Sequence, residues 1–179
     1  FSGMNVKERD RQGFEPIALY TNNIEKIDSI SDLVAFTALL HRDGFGMFWG
    51  AGVGPDDKDS SNMVFGIGQG GLSLPDREFY IKKTEENNNI KKDLLKHIER
   101  ILNMYGKSER DAGIAARSIL FIETKLAEAS MTMVERRDPH AQYNPHTIPQ
   151  LKKLSPHIDW TLYLKDLHAK TTRVIVGQP

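Results

Sequence analysis

Gly71-Leu72-Ser73-Leu74-Pro75-Asp76-Arg77-Glu78-Phe79-Tyr80 is the stretch on which the reading of this chain turns. An apolar, glycine-punctuated segment runs into it from Asn62, and a long segment of helical period runs out of it from about Thr84. Pro75 ends any strand and suits the first turn of a short helix, because its missing N–H would be unpaired there in any case. Asp76 and Glu78 then fall where the helix dipole favours acids. The local physics therefore predicts a strand-to-helix corner, with Arg77 anchoring it to a carboxylate or a carbonyl.

Upstream, Met4 to Gln12 is helix-compatible and broken by Gly13, and Glu15 to Ile27 reads as a second helix with Pro16 in its first turn. Ser29-Ile30-Ser31-Asp32 has capping-box spacing. Leu33, Phe36, Leu39 and Leu40 follow at helical intervals, and Gly44 stands at the C-cap. From Phe45 to Gly54, four glycines interleave with Met47, Phe48, Trp49 and Val53. The polar run 54–62 is turn chemistry, and Met63-Val64-Phe65-Gly66-Ile67 is apolar again, so a β-hairpin is predicted over about 46–70.

Downstream, Ile90, Leu94, Ile98, Ile101 and Tyr105 form one helical stripe, ended by Gly106. Ser108 and Asp111 open a further helix. Ala115, Ile119, Ile122, Leu126, Ala129 and Met133 are predicted as its buried face, giving an antiparallel helical pair over about 84–133. Residues 135–145 read as loop, Thr147-Ile148-Pro149-Gln150 as a capping box, and Asp159 as the cap of a last helix carrying Trp160, Leu162, Tyr163 and Leu167. Val174-Ile175-Val176 reads as a strand in need of a partner. The expected fold is mainly α: one mostly helical domain over 1–179 with a small β-hairpin.

Composition narrows the function. The 24 basic and 24 acidic residues cancel, which gives no field for nucleic acid. The absence of cysteine excludes disulfides and thiolate metal sites. No apolar run approaches the roughly 18–20 residues of a membrane span. Gly66-Ile67-Gly68-Gln69-Gly70-Gly71 fits G-x-G-x-x-G, but Leu72-Ser73-Leu74-Pro75 delays the helix that a dinucleotide site needs at its glycines. His41, His97, His140, His146, His157 and His168 show no zinc-ligand spacing and read as structural or solvated. Asp56-Asp57-Lys58-Asp59 fails the EF-hand pattern and reads as a solvated turn. Arg136-Arg137-Asp138 reads as a loop tied down by an Arg–carboxylate bond. No catalytic, cofactor-binding or metal-binding residue is assigned to any position.

Three ordered segments resemble the neprilysin-like zinc metallopeptidases of family M13, which include the endothelin-converting enzymes and the bacterial PepO type. The first is Gly52-Val53-Gly54-Pro55-Asp56-Asp57-Lys58-Asp59-Ser60 continuing through Gln69–Tyr80. It is similar to the family's "D-x-K-[DN]-S … GLGLP-x-R-[DE]-Y-Y". The second, Arg137-Asp138-Pro139 through Tyr143-Asn144-Pro145-His146-Thr147, is similar to "R-[DN]-P … YN-x-x-T". The third is the opening Ser2-Gly3-Met4-Asn5. The resemblance implies part of the N-terminal lobe of a longer zinc-dependent metalloendopeptidase, with the lobe covering the cavity in which small peptides are hydrolysed. The family's zinc-binding H-E-x-x-H and E-x-x-x-D motifs find no counterpart here, so zinc is expected in the parent protein and not in these residues. The implied partners are the catalytic lobe of the same chain and small peptide substrates, and the implied place is extracytoplasmic in a bacterium. The alternative is a free-standing helical peptide- or protein-binding module without catalysis.

Overall fold

The computed structural model of the chain describes residues 5–179, so Ser2, Gly3 and Met4 of the opening segment lie outside the described residues. The elements follow in order: α1 (Val6–Gln12), a 3-10 turn (Glu15–Ile17), α2 (Ala18–Ile24), α3 (Ile30–Arg42), β1 (Trp49–Asp56) and β2 (Asp59–Gln69). After these come α4 (Glu78–Ile81), α5 (Glu85–Met104), α6 (Glu109–Ala129), a second 3-10 turn (Glu135–Arg137), α7 (Pro139–Gln142), β3 (Asn144–Thr147), α8 (Ile148–Leu154), α9 (Trp160–Asp166) and β4 (Arg173–Val176). The fold is mainly α with a small sheet.

Side-chain caps set most helix starts. Ser29 and Asp32 form a reciprocal capping box on α3, Thr147 and Gln150 form another on α8, and Thr84, Ser108 and Asp159 cap α5, α6 and α9. Each satisfies an amide that the first turn would otherwise leave unpaired. At the other end of α5, Gly106 takes φ +100°, and the Lys107 amide reaches back to the Leu102 carbonyl. That reversal lays α6 alongside α5.

The hairpin does not stand alone. The sheet has four strands in the order β1-β2-β4-β3: β1 and β2 are antiparallel, β2 and β4 parallel, and β4 and β3 antiparallel. The terminal strand finds two partners and becomes central. β3, whose first two residues read from sequence as loop and whose last as a helix cap, is an edge strand. Pro145 pairs with Ile175, and its missing N–H interrupts no interior ladder. Strand pairing also reaches into the polar run 54–62, with β1 ending at Asp56, β2 starting at Asp59, and a break in register beside Pro55. Turn chemistry survives there, since Asp59 accepts from the Ser61 amide and hydroxyl and from Asn62.

The main core lies between the sheet and helices α3, α8 and α9. Val34, Ala38, Phe65, Leu151, Trp160, Tyr163, Leu164, Val174 and Val176 form one buried cluster. Around Tyr163 the rings of His41, Trp49 and Trp160 pack at centroid distances of 5.5–5.8 Å. Tyr163 is completely buried, and its hydroxyl lies 2.6 Å from His41 Nδ1.

The buried face of α6 differs from expectation. Ala112, Gly113, Ala116, Glu123 and Ala127 are buried, whereas Ile122 and Ala129 are exposed and Met133 lies beyond the helix end, also exposed. The helix carries two apolar faces. Small residues let α5 approach closely on one of them: a Cβ at Gly113 would already sit 3.4 Å from Glu99 of α5. The larger residues Ile119, Ile122 and Leu126 face a cleft instead.

Candidate functional site

The Gly71–Tyr80 corner is where hairpin, α4 and α6 meet. Gly71 adopts φ +78°, and a Cβ there would lie 3.1 Å from the Phe48 Cα, 3.1 Å from the Met47 carbonyl oxygen and 2.8 Å from Leu126 Cδ1. Neighbouring Gly70 passes as closely over the Trp49 backbone, at 3.0 Å. Arg77 Nε donates to the Ala127 carbonyl at 3.0 Å, which pins the corner to the last turn of α6. A guanidinium at a helix C-terminus satisfies an orphan carbonyl and complements the dipole. Gln178 continues the same work, donating to the Ala129 carbonyl and accepting from the Met131 amide.

Behind the corner sits a buried carboxylate. Glu123, on α6, is 7% exposed. It accepts from the Ser73 hydroxyl and from the Tyr80 hydroxyl, each at 2.6 Å, and the Tyr80 oxygen in turn accepts from the Leu74 amide at 2.8 Å. Burial first, then the Glu123 hydrogen bond, pushes the Tyr80 phenol well above its ordinary value, so it stays a donor. Glu123 forms part of the wall of an apolar cleft of about 550 Å³ between the hairpin and α6. A second hollow of about 420 Å³ adjoins it, sharing Phe48, Trp49 and Leu126 and continuing toward α8 and Trp160.

The remaining candidates are placed as follows. The glycine run 66–71 lies in β2 and its exit, and α4 begins only at Glu78, so no helix starts within those glycines. Asp56 is no solvated turn residue: it is 3% exposed. The Lys58 amide, the Tyr143 hydroxyl and Arg173 all donate to it, holding its carboxyl below the usual range and clamping the hairpin tip onto β4. The local sequence could not show this, since Tyr143 and Arg173 are distant in the chain. Arg136 and Arg137 make no ion pair among the described residues, and Asp138 caps α7 through the His140 amide instead.

The histidines do not converge. His97, His140, His157 and His168 are exposed on separate elements, and His146 Nδ1 lies against the Asn144 carbonyl. Among the described residues no three His, Asp or Glu side chains are grouped as a metal would need. The residues present do not fit a zinc site, and no chemical step is assigned to them.

His41 is a core residue with a pH consequence. Burial lowers its pKa below the ordinary 6.5, opposed in part by the Trp49 backbone. The unfolded chain then binds more protons than the native one just below that value. The contribution is complete above about pH 6.5 and is lost as pH falls through the depressed native value. Thermal midpoints measured from pH 7.5 down to 5.5 should fall, and more steeply than in His41→Gln; equal slopes would refute the assignment.

Comparison with known proteins assigns the fold. The family model described as peptidase family M13 matches residues 1–179. This chain belongs to peptidase family M13. The M13 chain is similar to Neprilysin-3 of Drosophila melanogaster, 33% identical over 124 residues, covering 69% of this chain and 16% of that protein. It is also similar to human Endothelin-converting enzyme-like 1, at 33% over 114 residues, 63% of this chain and 14% of that one. Among solved structures, the zinc metalloprotease Zmp1 of Mycobacterium tuberculosis superposes with TM-score 0.91 at 30% identity, covering 99% of this chain and 27% of Zmp1. PepO of Lactobacillus rhamnosis shares the fold at 16% identity, with TM-score 0.75 over 94% of this chain and 27% of PepO. The chain therefore spans under a third of the length of these M13 relatives. No helix among the described residues is long and apolar enough to cross a membrane.

Proposed function

We propose that this chain is part of the N-terminal lobe of a zinc-dependent metalloendopeptidase, in which it covers the cavity where small peptides are hydrolysed. The reading rests on one observation: nearly the whole chain superposes on little more than a quarter of a zinc metalloprotease. The zinc ligands and the general base are then supplied by polypeptide outside these residues, and the catalytic lobe is the partner. The bacterial origin of Zmp1 and PepO favours a bacterial parent.

Elemental analysis and peptide hydrolysis test the reading. The purified 179-residue chain should carry no stoichiometric zinc and cleave no peptide, whereas the product of its whole gene should do both. One tightly bound zinc per isolated chain would overturn the assignment, and so would a whole-gene product without peptidase activity.

A further inference from the structure

The M13 fold leaves one charge unexplained. Glu123 is a carboxylate more than nine-tenths buried, and no cation among the described residues lies within ion-pair distance of it. Among the described residues its hydrogen-bond partners are two hydroxyl donors, one to each oxygen. Each oxygen retains a further acceptor site. Buried carboxylates are ordinarily paired with a cation, because desolvating an unpaired charge is costly. The nearby cations are committed elsewhere: Arg77 to the Ala127 carbonyl and Glu78, and Lys91 to the Tyr80 carbonyl.

The surroundings define what could supply the missing charge. Among the described residues, Glu123 is the one ionisable side chain in the wall of the 550 Å³ cleft. Leu72, Ile119, Ile122 and Leu126 stand on the helix and corner side, with Phe48 and Trp49 opposite. A volume of this order fits a ligand with a substantial apolar body and one polar anchor. Gly46 and Gly50, where a Cβ would meet nothing within 4 Å, leave bare backbone along the hairpin side, so a ligand can lie close to the main chain.

We propose that this cleft binds the free amino terminus of a peptide whose first side chain is large and apolar, the ammonium pairing with Glu123 and the side chain filling the space beside Leu72, Ile122 and Leu126. A lysine side chain offers the same charge on a thin stem, and would leave most of the cleft empty. An amino terminus carries the charge and a bulky side chain on the same carbon. Naming a peptide as the ligand rests on the peptidase reading above. Binding is read on these 179 residues and hydrolysis on the whole-gene product, so the two can fail independently.

Trp49 lies in the cleft wall and reports occupancy. The 179-residue protein is titrated with Phe-Leu-Gly-amide, its N-acetyl derivative and acetyl-Gly-Lys-Gly-amide, following tryptophan emission with calorimetric confirmation. The free-amine peptide should saturate, and acetylation should weaken binding at least about tenfold, the equivalent of ~1.4 kcal/mol. In Glu123→Gln, which keeps an acceptor for Ser73 and a similar shape, that discrimination should vanish. Equal binding of the free and acetylated peptides, or no saturation by either, would overturn the proposal. Lysine-peptide binding as tight as that of Phe-Leu-Gly-amide would overturn the choice of an amino terminus. If Glu123→Gln does not fold by circular dichroism, the free and acetylated pair on the native protein still decides.

Discussion

Tyr163→Ala should destabilise the protein by about 3–5 kcal/mol, the cost of removing a fully buried aromatic ring from a packed core. Tyr163 has no solvent exposure and touches the rings of His41, Trp49 and Trp160 at once. Through these it links α3, β1 and α9, the three elements that close the core over the sheet. Its removal also takes from His41 Nδ1 its hydrogen bond to the Tyr163 hydroxyl. Tyr163→Phe separates the two contributions. It keeps the ring and loses only the hydroxyl, so it should cost about 1–3 kcal/mol, the range for an unpaired buried polar group. For a domain of this size each kcal/mol moves the thermal midpoint by roughly 2–4 °C. If urea titration gave the Ala and Phe variants the same midpoint, ring packing would not be what Tyr163 contributes.

Gly71→Ala should cost about 2–4 kcal/mol, far more than a Gly-to-Ala exchange at an ordinary position. Two causes add. The φ of +78° is the left-handed region, where a Cβ costs roughly 1–2 kcal/mol. The Cβ would also meet backbone, at the Met47 carbonyl and the Phe48 Cα, both 3.1 Å away. Leu126 Cδ1, at 2.8 Å, can rotate aside, but the two backbone neighbours cannot move without shifting the entry to β1. Gly52→Ala is the control: its Cβ would meet nothing within 4 Å and its φ is not left-handed. That variant should be close to neutral. Equal denaturation midpoints for the two variants would show that the corner tolerates a side chain and that the close approach is not what fixes the hairpin against α6.

Much of the local structure was legible from short-range rules. Ser29 with Asp32, Thr147 with Gln150, and Ser108 and Asp159 as caps all operate within one helical turn, so spacing alone reveals them. Arg77 was readable as an anchor because a lone arginine in an apolar corner needs an acceptor, although the Ala127 carbonyl could not be named in advance. The misreadings share a cause. The stripe from Ala115 to Met133 is helical in period, but a helix with two apolar faces does not say which one its neighbour takes, and the small residues at 112, 113 and 116 allowed the closer approach. Asp56 looked solvated because its local neighbours are polar, whereas what buries it is Arg173 and Tyr143, 117 and 87 residues away. β3 was missed because four residues containing a proline carry no strand signal of their own, and only the register with β4 creates the strand.

The sequence by itself determined the family, the predominance of helix and the corner at Gly71–Tyr80, since each is written in contiguous residues whose effects are local. Tertiary structure alone decided that Glu123, Ser73 and Tyr80 form one buried cluster at the wall of an apolar cleft. Those three come from the corner and from the middle of α6, 43 to 50 residues apart. The energetic reason to bring them together, a carboxylate that must be hydrogen-bonded once it leaves water, exists only after the chain has folded around it.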